Sequence, residues 1–197
     1  MLFGIGRRLV EPGRFVFLDE SGARTDMTRL YGRSRGGSRC VDFASGGRWK
    51  TCTMLAAIRS TGGVGEASLS GPGAMEDALV CDWVRDRLCP TLSAGGVVVM
   101  DNLGAHKVNG VEQAIEAAGE GLWYLPAYSP DLNPIEQAWS RVRAFPRRAG
   151  ARPEAGLHAA VGAALDSVTS VTADGCLDLM NSCGYSTWKS SKGHMYT

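Results

Sequence analysis

Two acidic side chains follow directly after short apolar runs that have the composition of buried β-strands. Asp19 comes after the run FVFL, and Asp101 comes after the run VVVM. Since the ends of neighbouring strands in an α/β sheet converge on one crevice, we expect these two carboxylates to lie close together. A third acid, Glu136, stands in the first turn of a predicted helix that follows the next strand, LWYL. The spacing therefore predicts three carboxylates at one edge of a sheet.

Three carboxylates at one point repel one another strongly unless a cation lies between them. Oxygen ligands of this kind suit Mg²⁺ or Mn²⁺ rather than zinc. Two such ions about 3.5–4 Å apart can activate an attacking oxygen and stabilise the leaving oxygen of a phosphodiester. The residues thus favour metal-dependent chemistry on a nucleic acid.

Each acid also has a simpler interpretation when it is taken alone. Asp19 and Asp101 could be turn residues, which Asp favours at strand ends. Glu136 lies three residues after Asn133, so it could close a capping box, with Pro134 at the first helical position. It is the joint position of the three acids on neighbouring elements that favours the catalytic interpretation.

The net charge of +1 over 197 residues conceals a strong asymmetry along the chain. Residues 1–60 carry a net charge of +6, residues 61–140 carry −8, and residues 141–197 carry +3. Two basic flanks around an acidic centre fit an enzyme that holds cations with carboxylates and a phosphate backbone with arginines. Two solvated faces are the alternative. The residues predicted to contact DNA are Arg33, Arg35, Arg48, Lys50, Lys107, Arg141, Arg143, Arg147 and Arg148.

The predicted elements are several strands followed by helix, strand, helix, strand and helix. A mixed α/β sheet with helices packed against it is the simplest arrangement for this order. Strand-like segments occupy 15–18, 27–31, 39–44, 49–58, 97–100 and 122–125. Helical patterns occupy 75–88, 111–118, 135–145 and 153–168.

The six cysteines include no pair spaced as CxxC, which gives little support to a structural zinc site. No apolar run approaches the roughly 18–20 residues that a membrane span needs. The first residues do not have the pattern of a secretion signal. These features predict reduced thiols in a cytoplasmic protein that has no membrane partner.

Two longer blocks carry a resemblance to a known family. MDNLGAHK at residues 100–107 and LPAYSPDLNPIE at residues 125–136 resemble the DDE transposases of bacterial insertion sequences in the mariner-like superfamily. The blocks FLDES, around Asp19, and WKT, at residues 49–51, are also similar. The 34 residues between Asp101 and Glu136 match the family's spacing. The resemblance covers about residues 14–168.

The resemblance implies an RNase H-like fold and strand transfer by a DNA 3′-hydroxyl into target DNA, usually at TA. It implies that Asp19, Asp101 and Glu136 are the catalytic residues and bind two Mg²⁺ ions, with Mn²⁺ as a possible substitute. Asn102 and His106 match the family's DN…H pattern and would support this site. The partners implied are the DNA ends of the element, the target DNA and a second copy of the chain.

The resemblance further implies an N-terminal extension over residues 1–13, an RNase H-like catalytic domain over 14–168 and a poorly matched tail over 169–197. Only 18 residues precede Asp19, too few for the helix-turn-helix region of the family. We expect that region to come from an upstream frame by frameshifting, in a bacterial protein associated with the nucleoid. The alternatives are a decayed, inactive DNA-binding remnant and an RNase H-like nuclease or resolvase.

Overall fold

The computed structural model describes residues 10–27, 31–41, 48–73, 76–101, 110–149, 154–169 and 172–185. The strands of these ranges are β1 (Phe15–Arg24), β2 (Thr51–Arg59), β3 (Gly62–Pro72), β4 (Val97–Met100) and β5 (Gly121–Tyr124). They form one sheet in the order β3-β2-β1-β4-β5. The first three strands pair antiparallel, whereas β4 runs parallel to both β1 and β5.

The described α-helices lie between or after these strands. They are α1 (Asp77–Trp83), α2 (Val111–Ala117), α3 (Pro134–Ala149), α4 (Glu154–Thr169) and α5 (Ala173–Ser182). One π-helical stretch, Val84–Leu88, continues α1. Among the described residues, no helix combines the length and the apolar character that crossing a membrane requires.

The sheet separates two apolar layers, because successive side chains of a strand point to opposite faces. Phe15 and Phe17 of β1 lie in the layer that α3, α4 and α5 cover. Val16 and Leu18 lie in the opposite layer, under α1 and α2. The apolar run that begins β1 is therefore buried on both faces, which explains why it does not alternate with polar residues.

The mixed sheet flanked by helices confirms the fold class expected from the sequence. Segment 49–58 forms β2, but the described parts of 27–31 and 39–44 are not strands, and the rest of both segments lies outside the described residues. The sequence pattern also fails to predict β3, whose ends are rich in glycine and proline and resemble turns. As an edge strand, β3 tolerates such residues because only one of its sides pairs with a neighbour.

The C-terminal part of the described chain belongs to the same core. Three residues of α5 are buried. Beyond that helix, the ring of Tyr185 packs edge-on against Phe15 and Phe17, with ring centroids 5.3 and 4.8 Å away. The core therefore extends to Tyr185, past residue 168, where the catalytic domain is expected to end.

Candidate active site

Asp19 lies in β1, and Asp101 directly follows β4, the parallel neighbour of β1. Residue n of β1 lies beside residue n + 82 of β4, from the pair Phe15 and Val97 to the pair Phe17 and Val99. This offset predicts that Asp101 lies beside Asp19. Asp19 falls on the alternation that points toward α3, since it follows Phe17 by two residues. Asp19 is only 4% exposed.

Glu136 reaches this edge of the sheet from the start of α3. The loop between β5 and α3 is held at its first residue, where the Leu125 N–H donates to the main-chain oxygen of Met100 at 2.8 Å. Between this loop and the strand ends lies a cavity of about 260 Å³. It is lined by Asp101, Leu125, Pro126, Ala127, Tyr128, Ser129, Pro130, Asn133 and Glu136. Two of the three predicted acids thus share one cavity.

The third acid, Asp19, is connected to this cavity through Asn133. Asn133 Nδ2 donates to Asp19 Oδ2 at 3.2 Å, and the main-chain N–H of Glu20 donates to Asp19 Oδ1 at 2.8 Å. Asn133 itself is 3% exposed, and its Oδ1 has no hydrogen-bond partner among the described residues. The buried carboxylate is therefore oriented by two donors, one from its own strand and one from the residue that precedes α3.

Glu136 is held by an arginine two turns further along α3. Arg143 Nη2 lies 3.3 Å from Glu136 Oε2, and Arg143 Nη1 donates to Ser21 Oγ of β1 at 3.1 Å. The guanidinium thus joins the helix that carries Glu136 to the strand that carries Asp19. Charge-assisted contacts of this kind fix orientation as well as adding energy.

The structure decides against the capping-box interpretation of Glu136. Its main-chain N–H bonds to the main-chain oxygen of Asn133, at 3.1 Å, and not to the Asn133 side chain. An asparagine that caps a helix through its side chain is typically worth about 1 kcal/mol. Asn133 forgoes that bond, and its amide is directed toward Asp19 instead.

The donor set at this edge suits a hard divalent cation, since carboxylate and amide oxygens are the ligands that such cations prefer. In the part of the chain that the structure describes, no group of three or more His, Cys, Asp or Glu side chains is arranged to hold one metal ion. Asp19 and Glu136 are instead bonded to Asn133 and Arg143. Such partners compensate for the mutual repulsion of clustered carboxylates.

A family model described as a DDE superfamily endonuclease matches residues 14–151, well over half of the chain. The chain belongs to this family. The comparison with curated proteins gives no match. Membership in the DDE superfamily confirms the resemblance seen in the sequence blocks around Asp19, Asp101 and Glu136.

Solved structures of the Mos1 transposase share the fold of this DDE chain. The Mos1 strand transfer complex matches 92% of this chain and 55% of its own, at 15% identity and a TM-score of 0.65. The Mos1 mariner paired-end complex with Mn matches 92% and 57%, at 18% identity and a TM-score of 0.64. The Mos1 catalytic domain matches 92% and 81%, at 14% identity and a TM-score of 0.53. The RNase H-like fold is thereby confirmed, and this chain spans just over half of the longer Mos1 chains.

The structure describes some, but not all, of the other residues predicted to support the DDE site or to contact DNA. Asn102, His106 and Lys107 lie outside the described residues. Arg143 lies beside Glu136, as given above. Arg148 is in α3, but its side chain is outside the description. The remaining predicted DNA contacts are exposed, namely Arg33, Arg35, Arg48, Lys50, Arg141 and Arg147.

Trp49, an exposed aromatic residue, lies between Arg48 and Lys50 in the sequence. Trp49 is 56% exposed, and the Arg24 guanidinium carbon stands 5.2 Å from the centre of its ring. Trp49 and Lys50 line a hollow that also contains Glu20, at the end of the sheet where β1 finishes. Cationic groups beside an exposed aromatic ring are common where proteins bind nucleic acid strands.

Sequence reasoning does not identify Asn133, Ser21 or the local role of Arg143. Asn133 precedes a proline that begins a helix, and this position is typical of a capping residue. Its contact with Asp19 spans 114 residues of sequence, and the contact of Arg143 with Ser21 spans 122. The one available signal is the alternation of β1, which predicts that Ser21 shares a face with Asp19.

Proposed function

We propose that this chain is the catalytic domain of a transposase that cleaves and joins DNA strands with divalent cations. The proposal rests on one arrangement. The parallel register of β1 and β4 predicts that Asp19 and Asp101 lie side by side, and Glu136, at the start of α3, lines the same cavity as Asp101. The likeness to Mos1 complexes named for strand transfer and for paired ends adds support.

Asp19, Asp101 and Glu136 would hold the cations, which we propose to be two Mg²⁺ ions, with Mn²⁺ as a substitute. Such cations, when bound, activate the attacking oxygen and stabilise the leaving oxygen. Mos1 structures with Mg and with Mn are among those similar to this chain. Asn133 and Arg143 would orient the carboxylates of Asp19 and Glu136. Asn102 and His106 would assist at the same edge.

Two in-line displacements at phosphorus account for cleavage and joining. In the first, a water molecule loses a proton as its oxygen bonds to phosphorus, the bond from phosphorus to O3′ breaks, and O3′ takes up a proton to become a 3′-hydroxyl. In the second, that hydroxyl loses its proton as its oxygen bonds to a phosphorus of the target strand, and the O3′ of the target strand leaves and takes up a proton. Neither displacement requires a covalent bond to the protein.

We propose that the DNA partners are the element ends and a target containing TA. The exposed basic residues, namely Arg33, Arg35, Arg48, Lys50, Arg141 and Arg147, would bind phosphates, and Lys107 and Arg148 would join them. A second copy of the chain and a helix-turn-helix portion, supplied by frameshifting, would complete end recognition. Such a protein would act on nucleoid DNA in the bacterial cytoplasm.

The test is a plasmid cleavage and strand-transfer assay on the full chain, with and without Mg²⁺ or Mn²⁺. Metal-stimulated cleavage and joining, both lost in Asp101→Asn, are expected. Asp178→Asn is the matched control, because Asp178 is an exposed acid on α5. Cleavage without joining would identify a nuclease, and salt-sensitive DNA binding without cleavage would identify an inactive remnant. Equal activity of Asp101→Asn and the parent would refute the assignment.

A further inference from the structure

Asn133 is buried and lines the cavity that contains Asp101 and Glu136, yet only one end of its amide is bonded. The Nδ2 end donates to Asp19 Oδ2 at 3.2 Å. The Oδ1 end is inaccessible to solvent and has no donor among the described residues. Buried polar groups in proteins almost always have a partner, so this unbonded oxygen requires an explanation.

The direction of the amide follows from the chemistry of Asp19. An ionised carboxylate only accepts hydrogen bonds, so the NH₂ end of Asn133 must face it. The carbonyl end then points away from the Asp19 oxygen. A donor that arrives with a bound ligand in the cavity would satisfy this oxygen.

We propose that Asn133 is a positioning residue of the cation site. Its Nδ2 orients the Asp19 carboxylate, and its Oδ1 accepts a hydrogen bond from a hydration water of the cation that Asp19 binds. Mg²⁺ usually retains several waters in protein sites, and these waters are good donors. This inference rests on the proposed function, because it assumes that Asp19 and Asp101 bind a cation.

Neighbouring groups that orient metal ligands are typically worth about 10- to 100-fold in metal affinity. We therefore expect Asn133→Ser and Asn133→Ala to weaken Mn²⁺ binding by about tenfold. Serine begins helices as well as asparagine does, so Asn133→Ser preserves the start of α3 while removing the amide. Ser60→Ala is the matched control, because Ser60 is another buried polar residue, just past the far end of β2.

The experiment titrates Mn²⁺ into the full chain without DNA and follows free Mn²⁺ by electron paramagnetic resonance. Melting temperatures are recorded with and without Mn²⁺. The rise in melting temperature that Mn²⁺ causes should be smaller in both Asn133 variants than in the parent. Without Mn²⁺, the melting temperatures of the Asn133 variants should be close to that of Ser60→Ala. In cleavage, the Mg²⁺ concentration for half-maximal rate should rise about tenfold, and saturating Mg²⁺ should restore most of the rate.

Parental Mn²⁺ affinity in both Asn133 variants would overturn the proposal. Weaker binding that accompanies an equal loss of metal-free stability in both variants would also overturn it, in favour of a purely structural role. Asp19→Asn and Asp101→Asn are titrated in parallel. If these two also bind like the parent, the cation site of the proposed function fails. If they lose binding while the Asn133 variants keep it, only the positioning role fails.

Discussion

The two ends of the parallel part of the sheet each bury one acid. Asp19, toward the end where the cavity opens, is 4% exposed, and Glu120, just before β5 at the opposite end, is 6% exposed. Asp19 faces Asn133 and shares its edge with Asp101. Glu120 packs against Gly96, and its Oε2 has no partner among the described residues. Burial of an acid is thus common to both ends.

The surroundings distinguish the two acids. Burial raises the pKa of the Glu120 carboxyl, and the main-chain N–H groups of Gly96 and Ser93 and the charge of Arg59 offset only part of this effect. No second carboxylate is found against Glu120 in the contacts described, and a β-carbon on Gly96 would fall within 3 Å of both Glu120 oxygens. Asp19 thus differs from Glu120 because its partner Asn133 lines a cavity that also contains Asp101 and Glu136.

The largest expected contrast is in activity. Asp19→Asn should slow metal-dependent cleavage by at least about a thousandfold, equivalent to about 4 kcal/mol, because a proposed cation ligand is lost. Glu120→Gln should cleave at the parental rate, since its side chain lies at the other end of the sheet. Single-turnover cleavage of labelled DNA measures both. Comparable losses in the two variants would mean that the two ends do not differ in function.

A second contrast is in stability. Gly96→Ala should lower the free energy of unfolding by about 2 kcal/mol, because the added methyl group overlaps Glu120 and the main-chain oxygen of Arg14. Gly13→Ala is the control, because a β-carbon there meets only Ser60 Oγ, at 3.6 Å. Urea unfolding of both variants tests this. Parental stability of Gly96→Ala would show that Glu120 and the main chain at Arg14 can move to make room for the methyl group.

The arginines at the two ends should also differ. Arg143→Met should slow cleavage by about tenfold, or about 1.4 kcal/mol, because Glu136 loses the group that orients it. Arg59 instead donates to the main-chain oxygen and Oγ1 of Thr91, at 2.9 and 2.8 Å. Arg59→Met should therefore lower the melting temperature and leave the rate unchanged. A parental rate for Arg143→Met would refute its role at Glu136.

The smallest expected effect is a pH dependence at Glu120. Its raised pKa means that the folded chain binds this proton more tightly than the unfolded chain does. The contribution of Glu120 to stability is therefore greatest below the ordinary value of 4.5 and declines as the pH rises through the raised value. The free energy of unfolding of Glu120→Gln, relative to the parent, should thus increase with pH. Urea titrations of both proteins across this pH range measure the difference. A difference in the free energy of unfolding that does not change with pH would contradict the pKa shift.

The end of the sheet that carries the three predicted acids is more predictable from sequence than the rest of the fold. Asp19 and Asp101 follow apolar runs, and the parallel register of β1 and β4 predicts that they lie side by side. Glu136 is predictable because it stands in the first turn of a helix that begins with a proline and follows the loop after β5. These are local signals, and they combine through simple rules of sheet geometry.

Contacts between distant segments are what the sequence does not reveal. Asn133 resembles an ordinary capping residue until its amide is found at Asp19, and Glu120 resembles a loop acid until Gly96 is found against it. α5 is missed because its sequence, rich in small and polar residues, buries only one stripe. Tertiary packing decides each of these features, and local propensity is a weak guide to it.

Tyr185 shows that the loop before Glu136 is held by residues far from it in sequence. Its hydroxyl donates to the main-chain oxygen of Leu132 at 2.8 Å, in the loop that precedes Glu136. Gln137, next to Glu136, donates to Ser182 Oγ at 2.6 Å. A fragment shortened to residue 168 would keep all three acids but lose both of these hydrogen bonds. A minimal version of this domain should therefore retain the chain through Tyr185.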